Sequence, residues 1–335
     1  MRILKAFFLF IGALGTLTIC VGFLVGILDY WKAAPEDLTL FRVNDFSDLS
    51  VPTGGNRRWK FLVLGDVQEG LANLNRLIRE AMDQDCRFII QTGDLVKTAD
   101  EGHYRLNLVT LKKAVQGLPV FVAPGNHDVK KDGGRLFEKF IGPRYQSFVV
   151  DSALFVLLDN ASRRPDRKQM QWLKRTLESG SMTKHIFLFM HSPIISWPEG
   201  PPEKVERKNK KLMNLIRKHS VDAVFMGHWH GYYIDQRDGI QFVVNGQAGD
   251  FDWEPGRYLV PSFITEVTIQ GDDTLYRKIE IKGQLLALLE GLIKDAFVAQ
   301  LYPLLAAHRF QSILVLIACM SLCVISITIM GRPRV

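Results

Sequence analysis

KFLVLGDVQ, residues 60–68, is an apolar run that stops at Gly65, then delivers Asp66 and, two residues later, Gln68. A short apolar run of this kind reads as a strand buried on both faces, and the glycine lets the backbone turn where the carboxylate sits. Taken alone, Asp66 is equally well explained as a turn former or a helix cap. The pattern recurs downstream, however, in QTGDLV (91–96), APGNHD (123–128), FMHSP (189–193) and MGHWH (226–230). Between these strand ends lie segments whose apolar residues recur at helical spacing: LANLNRLIREAMDQD (71–85), RLNLVTLKKAVQGL (105–118), RKQMQWLKRTLESG (167–180) and KNKKLMNLIRKHS (208–220). After Gly231 the pattern changes to short strands with turns at QRDG and QGDD, ending near Gly283. Strand–helix alternation followed by hairpins predicts an α/β layered domain over residues 59–283.

In such a domain the ends of neighbouring strands meet along one edge, and ligand sites form there. The side chains delivered to that edge are Asp66, Gln68, Asp94, Asn126, His127, Asp128, His191, His228 and His230. Singly, each has a plain structural explanation: the aspartates as turn residues, His191 as a hydrogen-bonded core histidine. His228 and His230 alternate, so they can point the same way. Oxygen and imidazole donors without a thiol suit manganese, iron or zinc.

The ordered set GD-x-x, GD, GNHD, a strand-end His and GHxH resembles the calcineurin-like metallophosphoesterase superfamily, over roughly residues 59–283. The resemblance implies a two-layer β-sandwich flanked by helices, with two divalent or trivalent metal ions at the sheet edge. It implies that Asp66, Gln68 and His230 surround one metal, that Asn126, His191 and His228 hold the other, and that Asp94 bridges them. His127 is then the proton donor facing the leaving group, and Asp128 the residue that orients it. The implied activity is metal-dependent hydrolysis of a phosphate ester or pyrophosphate by metal-activated hydroxide attacking phosphorus in line. The alternative is a catalytically impaired relative that binds phosphorylated lipid or a protein partner through the same pocket.

The sequence departs from the family's pattern twice. Most relatives carry D-x-H where this chain has Asp66-Val67-Gln68, and a neutral amide oxygen holds a metal more weakly than imidazole does. Phosphoprotein phosphatases carry GDxxDRG where this chain reads GDLVKTA, with Lys97 in the place of the third Asp. That difference points to a small-molecule or lipid-linked phosphate substrate.

Both ends of the chain are apolar. Ala6 to Leu28 is a run of 23 residues without a charge, and Ser312 to Met330 a run of 19. Each is long enough to cross a bilayer core of about 30 Å as a helix. The first is too long for a cleaved signal and lacks a small-x-small site after it. The expected organisation is a transmembrane helix over 1–30, a connector over 31–58, the catalytic domain over 59–283, an amphipathic helix over 284–308 and a second transmembrane helix with a short tail over 309–335. Arg2, Lys5, Arg332 and Arg334 lie outside the two spans, so the positive-inside tendency places the catalytic domain on the non-cytoplasmic side of a two-pass membrane protein.

The chain carries a net charge of +7, with 47% hydrophobic and 23% charged residues, which excludes a disordered polyelectrolyte. Its four cysteines show neither a disulfide framework nor zinc-ligand spacing. Two basic clusters, RRPDRK (163–168) and EKVERKNKK (203–211), are read either as solvated helix faces or as a cationic rim for anionic lipid head groups, with Trp197 dipping toward the interface. The membrane bilayer and a phosphorylated substrate are thus the expected partners. Nucleic acid is not expected, because no aromatic-and-basic binding module is apparent.

Overall fold

Strands that are apolar on both sides need cover on both faces. Here a second sheet supplies it on one side and helices on the other. The computed structural model describes residues 43–46, 49, 58–68, 70–130, 132–197, 202–248 and 261–281. The expected spans at 1–30 and 309–335, the amphipathic segment 284–308 and most of the connector 31–58 lie outside them. Among the described residues no helix is long and apolar enough to cross a membrane.

In chain order the elements are β1 (Trp59–Leu64), α1 (Leu71–Ala81), β2 (Cys86–Gln91), α2 (Glu101–Val115), β3 (Val120–Val122), the short α3 (Asn126–Val129), α4 (Arg135–Phe140), β4 (Gln146–Val150) and β5 (Ala153–Leu157). There follow α5 (Arg167–Ser179), β6 (His185–Phe189), α6 (Pro202–Lys218), β7 (Ala223–Met226), β8 (Tyr232–Arg237), β9 (Ile240–Asn245), β10 (Ser262–Gln270) and β11 (Asp273–Ile281). One sheet has the order β11-β10-β1-β2-β3 and the other β4-β5-β6-β7-β9-β8. The strands β1, β2 and β3 run parallel, as do β5, β6, β7 and β9, while the hairpins β8–β9 and β10–β11 are antiparallel. The two-sheet α/β sandwich expected from the sequence is therefore present.

Alternation within each strand divides the side chains between two cores. Phe61 and Val63 of β1, Phe88 of β2, Phe155 of β5, Phe187 and Phe189 of β6 and Phe225 of β7 fill the space between the sheets. Their rings meet edge-on or stacked; Phe88 and Phe155, for example, are 5.1 Å apart in a T-shaped pair. Each buried Phe contributes about 1.5–3 kcal/mol. The intervening residues, such as Val156, Leu188 and Val224, face outward and pack on Leu173 and Leu177 of α5 and on Leu212 and Ile216 of α6. On the other sheet α1 packs over β10 and β11, beside α2.

This arrangement points the C-terminal ends of the parallel strands of both sheets at one edge. Hydrogen bonds stitch the sheets together there: Asn245 Nδ2 donates to the Val63 carbonyl at 2.6 Å and the Ala248 N–H to the Gly65 carbonyl at 2.9 Å.

Candidate metal centre

Each motif of the sequence begins where one of these strands ends. Asp66 follows β1, Asp94 follows β2, Asn126 opens α3 just beyond β3, His191 follows β6 and His228 follows β7. Asp66, Gln68, Asp94 and His228 all have left-handed backbone, with φ of 54°, 41°, 55° and 69°. Such conformations are uncommon outside glycine. They are held by bonds between the loops: the Asp66 N–H donates to the Gly93 carbonyl at 3.0 Å, and the N–H groups of Val67 and Gln68 donate to the Asp94 carbonyl at 3.1 and 3.2 Å.

His191, which is fully buried, lies at the middle of the site. Its Nδ1 is 3.1 Å from the Thr92 carbonyl, and since a carbonyl only accepts, this nitrogen carries a proton and Nε2 faces inward. Around Nε2 stand Asn126 Oδ1 at 3.0 Å, His228 Nδ1 at 3.2 Å and Asp94 Oδ2 at 3.3 Å. The donor atoms of Asp94, His191 and His228 all lie within 4.8 Å of one another. A single N–H can serve only one of three acceptors crowded about it, whereas a cation would serve all four atoms. Asp66 and His230 form a second group, with His230 Nε2 3.5 Å from Asp66 Oδ1. The two groups are joined by the His228 N–H, which donates to Asp66 Oδ2 at 2.9 Å. Asp66 Oδ1 is buried without a hydrogen-bond partner, a costly state for a carboxylate oxygen unless a cation completes it. Gln68 is buried two residues beyond Asp66, and Asn107 Nδ2 donates to its backbone carbonyl at 2.9 Å.

The electrostatics describe a site short of positive charge. Burial pushes the Asp94 carboxyl up, but the charge and hydrogen bond of His191, with help from His127, hold it below the usual carboxylate range. Burial pushes His191 down, but Asp94 and Asp66 outweigh it and raise the imidazole to about 9. Burial and the charge on His191 push His228 down to about 4. The proton on His191 therefore balances the carboxylates where a metal ion would. These donors fit a divalent cation: hard oxygens and imidazole nitrogens converging on one point, with an orphaned carboxylate oxygen beside them.

His127 sits at the rim, half-buried, with its backbone N–H donating to Asp94 Oδ1 at 2.8 Å. Its Nδ1 donates to the Lys97 carbonyl at 2.7 Å, which leaves Nε2 available. The expected role of Asp128 needs correction. Its two carboxylate oxygens accept from the backbone N–H groups of Gly125 at 2.8 Å and Val96 at 3.0 Å, so it clamps the GNHD turn, while the Lys97 carbonyl orients His127. The reason is helical rotation: successive residues of α3 project about 100° apart. Burial and the Asp94 charge push Asp128 up to about 7, against the pull of those two N–H groups. Trp197 is half-buried, its ring 6.5 Å from that of Trp229 between the two histidines of the last motif.

Sequence reasoning passed over Asn160, at the end of the β5 run. This fully buried side chain accepts from the N–H of His191 at 2.9 Å and of Ser192 at 2.8 Å, and donates to the Ser192 carbonyl at 2.6 Å. It fixes the turn that presents His191. An Asn after a strand reads as an ordinary turn residue, and no local pattern marks a bond to a segment 31 residues away.

Comparison with known proteins bears on this geometry. The family model for calcineurin-like phosphoesterase matches residues 60–232. The serine/threonine-protein phosphatase CPPED1 of Danio rerio is 28% identical over 187 residues, which is 49% of this chain and 60% of that protein. The chain thus spans less than two thirds of that relative's length. The purple acid phosphatase PPD1 of yellow lupin (Lupinus luteus) is similar in fold with a TM-score of 0.53 at 14% identity, covering 71% of this chain and 56% of that one. A dimetal phosphatase from Danio rerio superposes with a TM-score of 0.51 at 14% identity, covering 68% of this chain and 99% of that one.

Proposed function

The chain belongs to the calcineurin-like phosphoesterase family, and from that premise we propose that it is a metal-dependent hydrolase of phosphoester bonds. The observation that carries this reading is the convergence of Asp94, Asn126 and His228 on the inward Nε2 of His191, beside an Asp66 oxygen that is buried without a hydrogen bond and faces His230. Asn126, His191 and His228 are the ligands proposed for one cation and Asp66, Gln68 and His230 for the other, with Asp94 between them. Two cations held there would supply positive charge to the phosphoryl oxygens and lower the pKa of a bound water. The chain's own residues do the rest. Thr92 and Asn160 hold His191 in the orientation that turns Nε2 inward, and Asp128 fixes the turn that carries Asn126 and His127. His127, held through Nδ1 by Lys97, presents Nε2 at the rim as the group that hands a proton to the leaving oxygen.

The apolar runs at 6–28 and 312–330 support membrane anchoring with the catalytic domain on the non-cytoplasmic side, and hence a lipid-linked phosphate or pyrophosphate as substrate. The name of the Danio rerio relative makes phosphoserine the rival substrate. Lys97, in place of an aspartate, favours the former. Gln68 in place of histidine favours a more weakly held cation, and it supports as second reading an impaired relative that binds phosphorylated ligands.

The test is hydrolysis of a chromogenic phosphomonoester, a phosphodiester and a phosphoserine peptide by the full chain with added manganese, against an Asn126→Ala control. Loss of a direct ligand should lower turnover by at least about 10²-fold. Equal rates in the two proteins reject the hydrolase assignment. Metal stoichiometry of the purified chain separates the two readings: two ions per chain support the hydrolase, and one supports the impaired relative.

A further inference from the structure

The two basic clusters of the sequence, forty residues apart, come together in the fold. The loop before α5 and the exposed face of α6 enclose a groove of about 940 Å³ on the outside of the six-stranded sheet. Six cations line it: Arg164, Arg167, Arg207, Lys208, Lys210 and Lys211. All six are exposed, and none has an ion-pair partner among the described residues. Asp166 is the one acid in the lining, and the flanking acids with described side chains have partners of their own. Asp166 accepts from the Gln169 N–H as the cap of α5, Glu178 pairs with Lys174, and Glu206 is held by Arg237 at 2.6 Å. Six like charges drawn from two separate segments outnumber the single acid of the lining, Asp166, and the groove between them is a place where bound anions are stabilised.

We infer that this groove is an anion site distinct from the metal centre, and that it binds a head group bearing several phosphates. Three of the six cations are arginines, whose planar fork matches phosphate oxygens two at a time, and the lysines add mobile point charges. The 13-residue α5 begins in the groove, with Arg167 and Met170 of its first turn in the lining, so the positive end of its dipole adds to the same field. The lining includes Pro165, Met170 and Leu212 but no aromatic residue, so it offers no stacking surface for the bases of a nucleic acid strand. The helix α6 follows β6, whose C-terminal end carries His191, and α5 follows β5, whose end carries Asn160, the residue that holds the His191 turn. The inference stands apart from the hydrolase reading, since none of the six cations belongs to the metal centre.

The experiment uses the full chain in nonionic detergent. Binding of fluorescent inositol hexakisphosphate and of phosphatidylinositol bisphosphate in mixed micelles is measured by polarisation, for the parent, for the triple variant R164E/R207E/K211E and for Asn126→Ala. The triple variant should bind both probes at least about tenfold more weakly, with unchanged thermal midpoint and unchanged hydrolysis of a small chromogenic ester. Asn126→Ala should bind both as the parent does, which keeps this result separate from any loss of catalysis. Binding of both probes assigns the head group itself as the ligand, and binding of the micellar probe alone assigns the lipid surface as its source. Unchanged affinity in the triple variant overturns the inference. So does tighter binding of a single-stranded oligonucleotide or an acidic phosphopeptide than of either phosphate probe.

Discussion

Asn160→Ala tests whether the buried amide behind His191 builds the metal centre. In the parent its Oδ1 accepts from two backbone N–H groups, those of His191 at 2.9 Å and Ser192 at 2.8 Å. Truncation leaves both donors buried and unmet, at about 1–3 kcal/mol each. The Ser192 carbonyl loses its 2.6 Å partner as well. Relaxation of the turn recovers part of this, so the expected loss is about 3 kcal/mol, a large share of the roughly 5–15 kcal/mol that holds a domain folded. The same relaxation swings His191 away from Asp94 and Asn126, so manganese affinity should fall about 10–100-fold. Urea unfolding followed by tryptophan fluorescence gives the first quantity and manganese titration the second. Asn160→Asp is the informative companion, because it keeps the acceptor for both N–H groups while losing the donor to Ser192. It should retain most of the metal affinity yet still unfold more easily. An Asn160→Ala protein within about 0.5 kcal/mol of the parent, with unaltered manganese affinity, refutes the assignment.

Three further outcomes follow from other parts of the fold. A Cβ at Gly227 would clash with Asp66 Oδ2 and crowd Thr92 Oγ1 at 3.1 Å and His191 Nδ1 at 3.3 Å, so Gly227→Ala should displace Asp66 and cut manganese-dependent hydrolysis by about 10²-fold; a rate near the parent's contradicts this. Lys60, buried on β1, pairs with Asp83 and, at 2.6 Å, with the buried Glu266, which also holds Arg277. Lys60→Met should cost about 3 kcal/mol in chemical denaturation, the lower end for breaking a buried pair because Arg277 remains, and leave hydrolysis intact. His185 is raised above the usual imidazole value by its hydrogen bond to Asp222, against the effect of burial. A raised folded value means that the protonated ring's stabilisation is complete below the unfolded value of about 6.5 and fades as pH climbs through the folded one. The stability gap between parent and His185→Gln should therefore be wider at about pH 6 than at about pH 9, and a gap that grows with pH would contradict the assignment.

What was legible in the sequence is what alternation and punctuation encode. Strands buried on both faces read as unbroken apolar runs, and their ends are marked by glycine followed by a polar side chain. That was enough to find β1, β2, β3, β6 and β7 and to name the polar side chains that their ends deliver. The strand β4 escaped because QSFVV is an edge strand with Val149 exposed, so its signal is half the length of the others. Asp128 stands next to His127 in sequence, but the helical turn sends its carboxylate to the N–H groups of Gly125 and Val96, and no residue pattern marks that destination. Asn160 was invisible for a different reason: its function consists of bonds to the backbone of another strand's end, and backbone groups leave no trace in residue identity.

The left-handed residues show how the site and the core depend on each other. Holding Asp66, Gln68, Asp94 and His228 at positive φ costs about 1 kcal/mol apiece, a sizeable fraction of the roughly 5–15 kcal/mol that holds a domain folded. Elsewhere positive φ falls at Asn44, Gln116, Asp151, Arg163, Ser220 and Asp238, none of them among the proposed ligands. At the metal centre it is concentrated, because only a sharp reversal after a strand can aim a side chain back across the sheet edge. The loops cannot hold that conformation by themselves. They are held because β1 and β2 on one side and β6 and β7 on the other are locked by the phenylalanines between the sheets, and because each loop bonds to the next. A substitution that loosens Phe61 or Phe225 should therefore weaken metal binding before it unfolds the chain, since the strained loops are the first elements released when the sheets are free to shift.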